Sequence, residues 1–223
     1  MNLLLLLSGG FDSPVAGKLL IDRGVTVHAL HYSSVPLTST TSEEKSEHLA
    51  RLIGCASFTI INISDLLIAI KEHCREEHYF IHMKRFMLSI AERYAKDISC
   101  TALITGDSIG QVGSQTLPNI VVITSATTFS ILRPLLGKNK KEIIALAEKY
   151  GTFETSKGPE TCDTLGPRHP ATKAKQHIII AEEKQLGKEQ LIEEALKTKR
   201  VVDIHSPQRF KTASTHSTVC SRS

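Results

Sequence analysis

Five consecutive leucines, residues 3–7, run straight into Ser8-Gly9-Gly10-Phe11-Asp12-Ser13-Pro14, and this junction constrains the fold more than any other stretch. An unbroken apolar run of that length suits a strand covered on both faces, as in a parallel sheet. Pro14 fits the first turn of a helix, where its missing N–H costs nothing, and Gly24 closes that helix near Arg23. A strand, a glycine turn and a helix in this order form the start of a β–α–β unit. The same leucines make a poor secretory leader, since no basic residue precedes them and the apolar stretch is short. No stretch is long enough to cross a membrane, so a cytoplasmic protein without a membrane partner is expected.

Short apolar runs continue to alternate with helix-length segments. Strands are expected at residues 2–7, 25–32, 57–62, 102–105 and 130–132. Helices are expected at 14–23, at 41–54 with Thr41 and Glu44 as a capping box, at 65–79, 81–96 and 139–150, and as one charged helix over 175–199. The expected fold class is α/β, a doubly wound, mostly parallel five-stranded sheet with helices on both faces. The 223 residues accommodate one such domain, placed at 1–200, followed by a disordered tail at 201–223 rich in Ser, Thr and basic residues. Residues 152–172, rich in Gly, Pro and Thr, read as a long loop of the kind that is functional or disordered.

Composition excludes some classes. Trp is absent and aromatics make up 5%, so a platform for stacking many single-stranded bases is not expected. A net charge of +4 permits a polyanionic partner without requiring one. The five cysteines are widely spaced and form no C-x-x-C pair, so neither a disulfide framework nor a zinc site has its sequence signature. Cys55, Cys74 and Cys100 read as packing residues and Cys220 as inert.

The chemistry is concentrated in the first turn. Gly9 and Gly10 let backbone N–H groups approach an anion, Ser8 and Ser13 add hydroxyls, and the following helix offers its positive end. Asp12 would repel phosphate alone and makes sense as a ligand for Mg²⁺. The plainer alternative is a tight turn with Asp12 as a helix cap. Later, a strand ending in Thr105-Gly106-Asp107 is followed by Gly110 and Gly113, which would let a loop fold closely over a nucleotide that Gln111, Ser114 and Gln115 could bond. Equally, Asp107 caps a helix there and Gln115 faces water. Cys162 lies in the 152–172 loop with Lys157, Arg168 and His169 nearby, cationic neighbours that raise thiolate content.

The residues 8–13 resemble the S-G-G-x-D-S mark of the PP-loop ATP pyrophosphatases, the adenine nucleotide alpha hydrolase-like fold. Further stretches resemble the 4-thiouridine tRNA sulfurtransferase (ThiI) family within it: Lys84-Arg85-Phe86-Met87, the long run from Thr105 to Thr116, Ile131-Leu132-Arg133-Pro134-Leu135 with Lys140-Lys141-Glu142-Ile143, and Glu160-Thr161-Cys162. The resemblance implies an ATP-dependent, adenylating enzyme. ATP and Mg²⁺ are its implied cofactors. The uridine O4 of a tRNA would be adenylated, and a persulfide on Cys162 would then attack C4. It implies Cys162, Asp12 and Lys140 as catalytic residues, and Ser8, Gly9, Gly10, Asp12, Ser13, Gly106, Gln111, Gln115 and Arg133 at ATP. Asn139 stands where the family has Asp, Asp107 where it has Glu, and the loop holds one cysteine. Relatives carry ferredoxin-like and THUMP domains ahead of this region. A separate THUMP-type protein is therefore expected to bring the tRNA, and a cysteine desulfurase or rhodanese to donate persulfide. Oligomeric state stays open, a homodimer included. Sulfur delivery to a carrier protein or small metabolite, as in thiamine-thiazole formation, and a non-catalytic nucleotide-binding subunit remain as alternatives.

Overall fold

The leucine run becomes the centre of the sheet. β1 (Asn2–Leu6) is flanked by β2 (Thr26–Ser33) and β4 (Ala102–Ile104), both parallel to it. Pleating sends alternate leucines to opposite faces: Leu4 enters one core cluster, while Leu3, Leu5 and Leu7 enter the other. β3 (Ser57–Asn62) extends the parallel sheet beyond β2, and β5 (Ile131–Leu132) extends it beyond β4. The computed structural model describes residues 1–108, 116–157 and 166–206.

A sixth strand, β6 (Arg200–Val202), pairs antiparallel with β3, giving the order β5-β4-β1-β2-β3-β6. The five-strand expectation is corrected by this edge. Three residues led by an arginine, largely exposed, carry no apolar pattern, so only their pairing with residues 58–60 makes them a strand.

Helices cover both faces. α1 (Asp12–Ile21), α2 (Thr41–Ile53), α6 (Lys140–Lys149) and α7 (Phe153–Ser156) pack on the Leu3 and Leu5 side. α3 (Ser64–His73), α4 (Tyr79–Asp97), α5 (Leu117–Thr124), α8 (Gln176–Gln185) and α9 (Lys188–Lys197) pack on the Leu4 side. Among the described residues no helix is long and apolar enough to cross a membrane.

Several helix expectations are corrected. The capping box at Thr41 does not form: Thr40 is the N-cap without a side-chain cap bond, and its hydroxyl donates to the Glu44 carboxylate at 3.1 Å. A box forms instead at α6, where Asn139 Oδ1 accepts the Glu142 N–H at 3.0 Å and Glu142 accepts the Asn139 N–H at 2.8 Å. The helix expected over 65–79 stops at His73. The charged helix over 175–199 is two helices, divided at Gly187, whose φ of +69° belongs to the left-handed region that glycine reaches without strain. α5 lies in a segment for which no element was expected. Pro118 in its first turn and Thr116, whose Oγ1 accepts the Asn119 N–H at 3.4 Å, start it as a helix.

Candidate functional site

Sheet construction changes direction at β1. The chain adds β2 and β3 on one side, then crosses back to place β4 and β5 on the other. The crevice beyond the carboxyl ends of β1 and β4 is therefore the topological switch point, where open α/β sheets bind their ligands. Residues 7–11 leave β1 there, and Thr105, Gly106 and Asp107 leave β4 beside them.

The first loop is fixed at both ends. The Leu7 N–H donates to the Leu30 carbonyl at 2.8 Å, and His31 Nδ1 lies 3.0 Å from the Leu7 carbonyl. A carbonyl can only accept, so Nδ1 carries the hydrogen. Burial holds the His31 pKa below its ordinary value, which keeps the ring neutral. The Ser8 N–H then donates to Ser13 Oγ at 2.9 Å, the two hydroxyls lie 3.1 Å apart, and the Gly10 N–H reaches Ser8 Oγ at 3.3 Å. The serines expected to meet phosphate thus also bond each other, which pre-shapes the loop. α1 opens at Asp12 with Phe11 at its N-cap, a side chain that makes no cap bond. First-turn amides have no partner within a helix, and the dipole adds positive potential at the same spot. An anion fits such a place.

Gly106 sets the width of the crevice. A methyl group on it would lie 2.7 Å from the Ser13 amide nitrogen and 2.9 Å from both the Asp12 carbonyl carbon and Ser13 Cα. These are backbone atoms and cannot rotate away. Only glycine lets the end of β4 rest against the first turn of α1.

Asp107, one residue on, collects cations. Its Oδ1 accepts from Lys84 Nζ at 3.1 Å, and its Oδ2 from Arg133 Nε at 3.2 Å and Thr105 Oγ1 at 2.8 Å. Burial pushes its carboxyl up, but Lys84, the Thr105 hydroxyl and Arg133 together outweigh burial and hold it below the usual range. Arg133 also donates to Thr124 Oγ1 at 2.8 Å. It therefore joins β5 to the loop after β4. Lys84 was not singled out as a site residue, because its role arises only from the packing of α4 beside β4.

On the other flank, Ser156 Oγ donates to the Gly10 carbonyl at 3.2 Å. Lys45 of α2 donates to the carbonyls of Ser156 and Lys157 at 3.4 and 3.0 Å, and its methylenes lie against Gly9. The rings of Phe11 and Phe153 stack at a tilt with centroids 5.3 Å apart. The chain is thus tied to the 8–13 loop just before residues 158–165. Just after them, Gly166 packs against the Phe80 ring, which an added methyl would overlap. Cys162, Gln111 and Gln115 lie outside the described residues. Lys140 is the exposed first residue of α6, a helix packed on the same sheet face as α1.

The other described cysteines divide. Cys55 and Cys100 are buried and free, with burial pushing their thiols up to about 12 and about 11, as packing residues should be. Cys74 is half-buried, packs against the Leu4-side core and also lies beside His82 and Glu182.

Comparison with known proteins gives consistent matches. The family model described as thiamine biosynthesis protein (ThiI) matches residues 1–187. The probable tRNA sulfurtransferase of Alkaliphilus oremlandii is 43% identical over 207 residues, which cover 90% of this chain and 53% of that protein. That of Coxiella burnetii is 43% identical over 200 residues, covering 86% and 51%. A crystal structure of a 4-thiouridine synthetase–RNA complex with bound ATP matches with a TM-score of 0.85 at 36% identity, over 90% of this chain and 54% of that one. The chain spans about half the length of the relatives it matches.

Proposed function

Because this chain belongs to the ThiI family, we propose that it is the adenylating and thiolating part of an ATP-dependent tRNA uridine sulfurtransferase. The observation that carries this reading is the uncapped start of α1, pressed against Gly106 at the switch point and tied through Ser156 to the segment that leads to Cys162. The bound ATP and RNA of the similar 4-thiouridine synthetase support it.

In this reading, amides of residues 9–13 hold the diphosphate end of ATP, whose charge the α1 dipole complements. Asp12, a hard carboxylate in the first turn of α1, is the residue fitted to hold Mg²⁺, which would neutralise phosphate charge. Uridine O4 attacks the α-phosphorus, the bond to the β-phosphate bridging oxygen breaks, and pyrophosphate leaves. O4 now departs readily as part of AMP when the outer sulfur of a Cys162 persulfide attacks C4. A second thiol must then cut the resulting disulfide to free the thiolated base. Lys140 supplies a fixed cation near the reacting phosphate, and Gln111 and Gln115 contact the nucleotide. Arg133 acts by holding Asp107 in place. A THUMP-type RNA-binding module and a persulfide donor, a cysteine desulfurase or rhodanese, are the partners, in the cytoplasm.

The family description, thiamine biosynthesis, favours a second reading in which the sulfur goes to a carrier protein or small metabolite. Pyrophosphate release separates the two. Stimulation by unmodified tRNA, with 4-thiouridine formed when a persulfide donor is added, supports the first. Cys162→Ser is expected to keep the pyrophosphate release and lose the thiolation. Release stimulated by a non-RNA acceptor and indifferent to tRNA contradicts the first and supports the second. Absence of any release contradicts both.

A further inference from the structure

Lys45 of α2 takes part in none of the ion pairs found among the described residues, although its own helix carries Glu43, Glu44 and Glu47. Those carboxylates are engaged elsewhere: Glu43 by Ser33 and Arg200, Glu44 by Thr40 and Glu47 by Arg51. The Lys45 ammonium instead crosses to α7 and donates to the carbonyls of Ser156 and Lys157, at 3.4 and 3.0 Å. These two residues are the last of α7 and its C-cap. Carbonyls at a helix end have no partner within the helix, and a lysine that reaches them supplies one.

The same side chain passes over the 8–13 loop on its way. A methyl on Gly9 would lie 3.5 Å from Lys45 Cβ and 3.6 Å from its Cε, so the stem runs along that backbone. Two more contacts join the same segments: Ser156 Oγ donates to the Gly10 carbonyl at 3.2 Å, and the Phe153 ring stacks on Phe11. Residues 9, 10 and 11 thus each meet one part of a strap made by Lys45, Ser156 and Phe153. The Lys157 ammonium is occupied by Glu154 at 2.7 Å and lies over the Phe153 ring, so Lys157 enters the strap through its carbonyl. Lys157 stands five residues before Cys162. Five residues of extended chain reach at most about 18 Å. Where Lys157 is held therefore limits how far from the 8–13 loop the thiol can be carried.

We propose that Lys45 is a positioning residue for the sulfur-transfer step, holding residues 156 and 157 on the 8–13 loop so that Cys162 is delivered to the base activated there. This role rests on the sulfurtransferase reading given above. An ammonium suits it because three hydrogens on one atom serve two carbonyls at once.

The test compares Lys45→Met, which keeps a stem over Gly9 and removes the ammonium, with Lys45→Arg, whose guanidinium can again donate to two carbonyls. Pyrophosphate release and 4-thiouridine formation are both followed on unmodified tRNA with a persulfide donor present. In Lys45→Met, thiolation is expected to fall at least about tenfold further than pyrophosphate release, as misplaced reacting groups do. Lys45→Arg is expected to recover most of the thiolation. Hydrogen exchange adds a readout that needs no catalysis: the amides of residues 153–157 should exchange faster in Lys45→Met while those of β1 do not change. Equal losses of the two rates, no loss of either, or unchanged exchange over 153–157 would overturn the proposal. An unmutated protein indifferent to tRNA contradicts the sulfurtransferase reading and this role with it, while the exchange difference still tells whether Lys45 holds the strap.

Discussion

Gly106 is the residue on which the crevice turns. A methyl there meets backbone at 2.7 Å, so Gly106→Ala should force β4 and α1 apart. Overpacking of this kind costs about 1–3 kcal/mol, which urea unfolding would measure. On the proposed function, ATP binding should fall more steeply than stability, since the displaced amides are those proposed to hold the diphosphate. Asp107 sits beside it as the counter-charge of Lys84 and Arg133. Asp107→Asn is expected to destabilise by about 1–3 kcal/mol, read by the same unfolding curves. Glu92 gives a pH test. Burial raises its carboxyl, but bonds from Lys96, Thr127 and Thr128 outweigh burial and hold it at about 2 against an ordinary 4.5. A depressed carboxyl stabilises the fold above its unfolded value, so that contribution is fully present above about pH 4.5 and is lost as pH falls towards about 2. The stability difference between the protein and Glu92→Gln should therefore shrink across that window in acid unfolding. The sequence shows the residue types at these positions, Gly106 and Asp107 among them. It does not show that Gly106 serves by closeness to Ser13, or that Arg133 turns to Asp107, because both depend on contacts between segments far apart in the chain.

At the scale of elements, Arg85 and Glu183 join α4 to α8. Arg85 Nε is 2.5 Å from Glu183 Oε1, its Nη2 is 3.1 Å from Oε2, and Nη1 donates to the Val122 carbonyl and, at 2.8 Å, to Ser125 Oγ. Breaking a buried pair by removing one partner costs about 3–5 kcal/mol. Arg85→Ala should show that loss in denaturant unfolding, whereas joint replacement of Arg85 by Met and Glu183 by Leu should restore much of it. The cap of α6 is smaller in effect: Asn139→Ala is expected to cost about 0.5–2 kcal/mol, and it would tilt Lys140 as well. The five parallel strands and the long helices were legible because apolar period, Pro14, Gly24 and Gly54 mark them. α5 was not, because isoleucine and valine in its sequence favour strand locally and the packing of Val122 and Ile123 on α4 overrides them. β6 was not, because an edge strand needs no apolar pattern. The division of the 175–199 helix was not, because it rests on the left-handed backbone at Gly187.

For the whole molecule, the order β5-β4-β1-β2-β3-β6 is what makes a local motif into a site. Residues 8–13 could be read from the sequence as a phosphate loop. The chain crossing that brings Lys84, Asp107 and Arg133 to one side of it, and Lys45 and Ser156 to the other, could not, because the contacts join residues up to 146 positions apart along the chain. The most direct measurement of the central claim is a calorimetric titration of Mg-ATP into the folded chain and into Asp12→Asn. One site is expected, competed by pyrophosphate but weakly by AMP, and lost in Asp12→Asn while the fold persists. Mg-ATP uptake that ignores both pyrophosphate and the Asp12 substitution, or no uptake at all, would contradict it.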